Sequence, residues 1–348
     1  SKNMYKMGIS VFNGLKEYNL ASNLEYIKLA KKLGYEMVFS SAHINEAENA
    51  INDLKVCIDL ANSLGMKLSL DISKPAFEKL GNISGLYSLR LDYGFTEEDI
   101  VKLSNEAEYF VELNASTLTN ARFEKLVEKG LNLQKTRLSF NYYPKLHTGH
   151  TIEFCKERIE YYHKYQVSVG IFIPSKYQFR PPMYEGLPTI EKHRKENISL
   201  VIEELKAIGA DEIFFGDAYA SYDELEMLKK HQTENILLPV KLFENLTSEV
   251  YEIMKTNWVR RIDYNDELIR LSGGVNIKGL KPFNNIERKK WSLTIDNEQF
   301  LRYQGEVNIV ISDLEKDERV NVIGNVLMSD TILNSIKQGK TITFIMIA

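Results

Sequence analysis

The sequence predicts an α/β fold: a closed (β/α)8 barrel of the TIM type over residues 1–236, followed by a smaller β-rich domain over residues 237–348. Three observations predict it. Short apolar runs alternate with amphipathic helical stretches through the first two-thirds of the chain. Eight such pairs fit into roughly 230 residues, the size of a barrel of this kind. Near Ile236 the alternation stops, and the later apolar runs take on a period of two.

The expected barrel strands are Met7–Phe12, Met37–Ser40, Lys67–Asp71, Ser88–Asp92, Tyr109–Asn114, Arg137–Asn141, Ser168–Ile173 and Glu212–Gly216. Between them lie helical patterns such as LEYIKLAKKLGYE, AINDLKVCIDLANSLGM, ARFEKLVEKG and ISLVIEELKAIGA. Several end in glycine before a new apolar run, the usual helix stop. Pro144 and Pro174 fall just after strands, where no ladder donor is needed. An open doubly wound sheet is the rival architecture. The count of eight units, with no GxGxxG after the first strand, favours the barrel. Beyond ILLPVKLFENL, the stretches KKWSLTIDNE, EVNIVISDL, VNVIGNVL and TITFIMI read as strands of the second domain, with LEKDER and NSIKQGK as turns or short helices.

Composition narrows the function classes. A formal charge of −4 and a pI near 6.0 argue against a general nucleic-acid or membrane-surface binder. No apolar run reaches the ~18 residues of a membrane span. The N-terminal SKNMYKMGISVF has no signal-peptide core, and Cys57 and Cys155 are the only cysteines. A cytoplasmic protein without a disulfide framework is expected. No HExxH and no GxSxG occur, so neither a zinc hydrolase nor a serine nucleophile is supported, and no cofactor or metal is expected. His147 and His150 share KLHTGHT, a spacing read as a loop. The sequence leaves a homo-oligomer open.

The chemistry gathers at strand ends. SLDIS places Asp71, RLDYG Asp92, VELNAST Asn114, FNYYP Asn141 and Tyr142, and FFGDAYAS Asp217 after successive apolar runs. In a parallel barrel these ends meet on one rim, where active sites form. One alternative is that each Asp caps the next helix or fixes a loop. Three on one rim, with Glu46 and Glu185 on nearby loops, favour a functional cluster, since neighbouring carboxyls can divide into an acid and a base. Glycoside hydrolysis needs such a pair, and the catalytic candidates are Asp71, Asp92, Asp217 and Glu185. His43, after strand two, is a rim candidate for a proton carrier or substrate contact. Arg90 alternates with Asp92 on strand four and either buttresses it or reaches the substrate. The long loop PSKYQFRPPMYEGLPTIEKHRKEN carries Arg180, a guanidinium suited to phosphate or carboxylate, with Tyr184 as a pocket wall and Arg194 as a further candidate. Lys192 and Lys195 read as a solvated helix start.

Taken in order, MGISVFNG, SSAHINE, LDISK, LRLDYGF, LNASTLT, FNYYPK, FIPS…YEGLPTIEKHR, FFGDAYAS and RYQGEVNIV resemble the 6-phospho-N-acetylmuramidase family along essentially the whole chain. The resemblance implies a barrel followed by a cyclophilin-like domain. It also implies hydrolysis of the β-1,4 bond of N-acetylmuramic acid 6-phosphate–N-acetylglucosamine during peptidoglycan recycling. The expected partner is that phosphorylated muramyl disaccharide. His43, Glu46, Arg90, Asn114, Asn141, Tyr142, Arg180, Tyr184 and Arg194 are then the candidate substrate contacts. The RYQGE residues Arg302, Tyr303, Gln304 and Glu306 are expected to hold the two domains together rather than to line the pocket. Two other classes stand beside this one: a non-catalytic phosphosugar sensor, and an aldolase or epimerase acting on phosphorylated sugars. An aldolase needs a lysine projecting from a strand, and Lys67 begins strand three at the wrong end.

Overall fold

The computed structural model describes residues 4–42, 48–81 and 83–347. They form two units, one holding residues 4–196 and 208–230, the other holding 197–207 and the chain from residue 231 onward. In the first unit, eight parallel strands close into a barrel in chain order. They are β1 (Lys6–Ser10), β2 (Met37–Ala42), β3 (Lys67–Ile72), β4 (Ser88–Leu91), β5 (Phe110–Asn114), β6 (Thr136–Ser139), β7 (Val169–Ile173) and β8 (Glu212–Phe215). Closure is made by β1 against β8, with Lys6 opposite Glu212.

The intervening helices are α1 (Leu20–Lys32), α2 (Glu48–Ser63), α3 (Lys74–Leu80), α4 (Glu97–Glu106), α5 (Asn120–Glu128), α6 (Ile152–His163), α7 (Ile198–Ile208) and α8 (Tyr222–Lys230). Their starts are set by short polar side chains that take up orphan N–H groups. Asn19, Ser73, Thr96, Thr119 and Thr151 each accept from a backbone N–H of the helix they begin. Ser221 and Glu224 exchange side-chain and backbone hydrogen bonds at the start of α8. None of these caps is a strand-end Asp, so the capping alternative does not describe Asp71, Asp92 or Asp217.

The barrel interior is divided. On β2, β7 and β8 it is aromatic: Phe39 meets Phe172 across the barrel at 5.0 Å between ring centroids, and Phe172 meets Phe214 at 5.5 Å. Glycine is required beside them, because a Cβ on Gly8 would lie 2.3 Å from the Phe214 ring. On β3 to β6 the interior is polar, which sets the site described below.

The second unit is a closed seven-strand barrel in the order β10-β11-β13-β12-β14-β9-β15. Its strands are β9 (Ile236–Leu242), β10 (Asn257–Arg260), β11 (Leu268–Ser272), β12 (Ser292–Asp296), β13 (Val307–Val310), β14 (Val320–Val326) and β15 (Thr341–Met346), with α9 (Asp330–Ile336) between the last two. Alternating residues such as Leu293, Ile295, Val307 and Ile309 fill its core, together with Leu200 of α7 and Trp258. Strands β10 and β11 lack an apolar run in the sequence, because Trp258, Ile269 and Leu271 alternate there with exposed or charged residues. No helix among the described residues is long and apolar enough to cross a membrane.

Gly8→Ala is expected to destabilise the barrel by about 1–3 kcal/mol, since the added methyl must displace a packed aromatic ring. Thermal unfolding of the purified variant checks this; an unchanged midpoint would mean the Phe214 ring moves aside freely.

Candidate active site

The polar half of the barrel is a column of buried charge. In β3 to β6 every second residue points inward and is polar: Ser69 and Asp71, Ser88 and Arg90, Glu112 and Asn114, Arg137 and Ser139. Glu112, on β5, is buried and accepts hydroxyl hydrogen bonds from Ser69 at 2.9 Å, Ser88 at 3.0 Å and Ser139 at 2.7 Å. Arg137 pairs with Glu112 on one side and with Glu212 on the other. Burial pushes the Glu112 carboxyl up, but Arg137, Arg90 and the hydroxyls outweigh it and hold the group below the ordinary carboxylate range.

Above Glu112 sits Arg90, itself only 5% exposed. Its Nε donates to Ser139 Oγ at 2.7 Å, and its Nη2 to Asn141 Oδ1 at 2.8 Å and Ser139 O at 3.2 Å. The remaining terminal nitrogen reaches Asp71 Oδ1 at 3.4 Å. Asp71 and Arg90 are direct register neighbours on adjacent strands. Asn114 Nδ2 donates to the same Asn141 oxygen at 3.0 Å. Asp71, Arg90, Asn114 and Asn141 are thus brought together at the C-terminal mouth. Arg90 buttresses Asp71 rather than Asp92, because β4 ends at Leu91 and Asp92 turns out to solvent.

Tyr142 joins this cluster to a second one. Its ring packs edge-on against Phe12, Phe39 and Phe172, and the Arg180 guanidinium lies over both the Phe12 ring, at 4.6 Å, and the Tyr142 ring, at 5.4 Å. Burial raises the Tyr142 hydroxyl, with Asp71 and Asp217 adding to the rise and Arg180 and Arg90 opposing it. Arg180 Nε is buried and has no hydrogen-bond partner among the described residues.

Asp217 is fully buried, and its carboxylate accepts the backbone N–H groups of Ser175 at 3.0 Å, Arg180 at 3.2 Å and Leu187 at 3.1 Å. Burial pushes its carboxyl up to about 6 against the pull of those three donors. It fixes the loop after β7 at three points, so the loop-binding alternative describes its contacts. Arg194 does the same from the far end. Its Nε and Nη2 grip Glu191 at 2.8 Å each, Nη1 donates to the carbonyls of Glu185 and Gly186 at 3.2 Å, and Nη2 to that of Lys145 at 3.1 Å. That uses the donors of its fork, and Arg194 faces inward instead of toward a ligand. Glu185 is partly exposed, and Tyr184 is 52% exposed with a left-handed backbone at φ 55°. His43 and Glu46 lie outside the described residues. In RYQGE, Glu306 pairs with Arg270 and Arg261, Gln304 accepts from Gly279 N at 2.7 Å, and Arg302 stacks on Tyr303; each of these contacts lies within the second unit.

Sequence reasoning missed Glu112, Arg137 and Glu212. The signal was present: a buried parallel strand reads as a continuous apolar run, whereas SLD, SLRL, VELN and TRLSFN are polar at alternate positions. It also set aside His150. That ring stacks on Phe154, and its Nε2 lies 2.9 Å from Tyr143 Oη and 2.8 Å from Ser116 Oγ, while Ser116 Oγ accepts from Asn141 N at 2.9 Å. Burial, with Arg158 nearby, lowers the His150 imidazole to about 4. Among the described residues no group of three His, Cys, Asp or Glu side chains is placed to hold a metal ion.

The site defined by this geometry is a closed β/α barrel with carboxylate, guanidinium and amide groups gathered on its C-terminal mouth. The sequence matches the family description "6-phospho-N-acetylmuramidase, N-terminal" over residues 7–230 and "6-phospho-N-acetylmuramidase, C-terminal" over residues 236–345, and the chain belongs to this family. No curated protein matches it. Among solved structures, a conserved Enterococcus faecalis protein of unknown function is 30% identical, with a TM-score of 0.76 over 98% of this chain and 96% of that one. An uncharacterized B. cereus protein is 23% identical, with a TM-score of 0.83 over 98% and 99% of the two chains.

His150 makes stability depend on pH in a defined sense. Its folded value is depressed to about 4, so between pH 4 and its ordinary value of 6.5 the unfolded chain binds more protons than the folded one. Stability is then fully present above that window and declines as pH falls through it. Chemical denaturation at stepped pH is expected to show a shallower decline for His150→Gln than for the parent protein. Equal slopes would show that the ring titrates freely in the folded state.

Proposed function

We propose that the protein hydrolyses the β-1,4 bond of N-acetylmuramic acid 6-phosphate–N-acetylglucosamine. The observation that carries this reading is Asp71, a carboxylate at the barrel mouth held by buried Arg90, beside a Tyr142 ring that also supports the unpaired Nε of Arg180. Family membership supports the same reaction. In this proposal Asp71 acts at the glycosidic bond as base or nucleophile, held at the mouth by its ion pair with Arg90. Glu185 and Asp92, more exposed on adjoining loops, are the candidates for the acid. Asp217 holds the loop that presents Arg180. Arg180 takes the phosphate or the lactyl carboxylate, and Asn114, Asn141 and Tyr142 take hydroxyl or acetamido groups.

We place the reaction in the cytoplasm, within peptidoglycan recycling, because a sugar phosphorylated on import is met inside the cell. We also read the second unit as cyclophilin-like, a reading supported by its closed seven-strand barrel.

Mass spectrometry of purified protein incubated with the phosphorylated and the unphosphorylated disaccharide tests the proposal. Release of both sugars from the phosphorylated substrate is expected; folded protein that returns it intact would instead favour a sensor. Asp71→Asn is expected to cut kcat by about 10²-fold or more with the fold retained. Arg180→Met is expected to raise KM for the phosphorylated disaccharide by roughly 10- to 100-fold, the weight of a hydrogen bond to a charged group. A KM unchanged in Arg180→Met would remove that side chain from anion recognition.

A further inference from the structure

We infer that a second groove on the barrel unit, outside the Asp71 cluster, binds a neutral, hydroxyl-rich saccharide. The groove has a volume of about 690 Å³ and runs between α1 and the segments 177–178 and 219–223. That volume lies within the range of small-molecule sites. Two tyrosines stand in it half-exposed, Tyr177 at 58% and Tyr222 at 55%. Between them are Ser22, Gln178, Glu25 and Asp223, and no Lys or Arg lines the groove.

The chemistry of this wall selects its ligand. Exposed aromatic faces set among hydroxyl, amide and carboxylate groups suit the apolar faces and hydroxyl edges of a sugar ring. Phosphate or another anion meets two lining carboxylates, and the nearby Lys28 is already engaged by one of them, Glu25. A polycation is little favoured, because Glu25 is already matched by Lys28 at 3.4 Å.

The walls are fixed in advance. Glu224 ties them together, accepting from Ser175 Oγ at 2.7 Å and from Lys176 N at 2.8 Å, just before Tyr177 and two residues after Tyr222. Tyr219 holds a strained left-handed backbone at φ 57°. Its ring is clamped edge-on by Tyr18 and Tyr26 at 5.2 Å each, and its hydroxyl donates to Asn23 Oδ1 at 2.7 Å. Strain sustained by so many contacts, next to an open groove, keeps Tyr222 and Asp223 presented. One wall is α1 and the other is made by the loop after β7 with the start of α8, and the inference does not rest on the hydrolytic reading.

Ligand-observed NMR titration of the full-length protein with N,N′-diacetylchitobiose tests it, with N-acetylglucosamine 6-phosphate as the anionic comparison. The expected result is weak binding of the neutral disaccharide, roughly tenfold weaker in Tyr177→Ala and in Tyr222→Ala, the scale of one lost aromatic contact. Asp71→Asn should bind it as the parent does. No binding by the parent, or binding lost in Asp71→Asn and kept in both tyrosine variants, overturns the groove. Hydrolysis of the phosphorylated disaccharide, measured on Tyr222→Ala, reports on the catalytic proposal separately and is expected to persist.

Discussion

The ion pairs of Arg90 and Arg137 with the carboxylates of the barrel interior are what the rest of the first unit depends on. Moving an ionised group out of water costs several kcal/mol, and one partner left alone after removal of the other costs about 3–5 kcal/mol. Glu112 avoids that cost through Arg137, Arg90 and three serine hydroxyls drawn from three different strands. Each serine is small enough to let the charged side chains reach the axis. The same column rises to Arg90, whose planar fork satisfies Ser139, Asn141 and Asp71 at once. A flexible side chain at the mouth is thereby converted into a fixed one, and preorganisation of this kind is what a catalytic carboxylate needs.

The division of the interior into an aromatic and a polar half follows from this. Phe39, Phe172 and Phe214 fill the space opposite the charge column, and they leave no room for a Cβ at Gly8. Tyr142 lies where the two halves meet, apolar on the side of Phe172 and beneath charged groups on the other. The long loop after β7 is the mobile element one would expect at such a mouth, but it is held by buried groups at both ends. Asp217 accepts three of its N–H groups, and Arg194 donates to two of its carbonyls. The loop turns Arg180 in over the Phe12 and Tyr142 rings and leaves Tyr177, Met183 and Tyr184 exposed.

Much of this was legible in the sequence, and for stated physical reasons. The barrel follows from the alternation of apolar runs and amphipathic helices, and Asp71, Arg90, Asn114 and Asn141 from their place at strand ends. Asp92 was harder, since nothing in RLDYG says whether the strand stops at Leu91 or one residue later, and one residue decides whether a side chain faces the mouth or solvent. Arg194 and Asp217 show a different limit. A charged residue near a rim looks the same in sequence whether it faces a ligand or binds the backbone of its own loop. His150 was read as a loop residue because its partners, Ser116 and Phe154, come from other segments. In the second unit β10 and β11 were missed because their buried residues alternate with exposed or charged ones and never form an apolar run.

The central claim is that Arg90 holds Asp71 in place as the carboxylate that acts on the substrate. Turnover of the phosphorylated disaccharide by the parent protein, Arg90→Gln, Asp71→Asn and the double variant, each of verified fold, tests it most directly. If Arg90 works through Asp71, Arg90→Gln should lower kcat, and the double variant should lose little beyond Asp71→Asn alone. Losses that simply add would contradict the account, because they would show that Arg90 and Asp71 act independently.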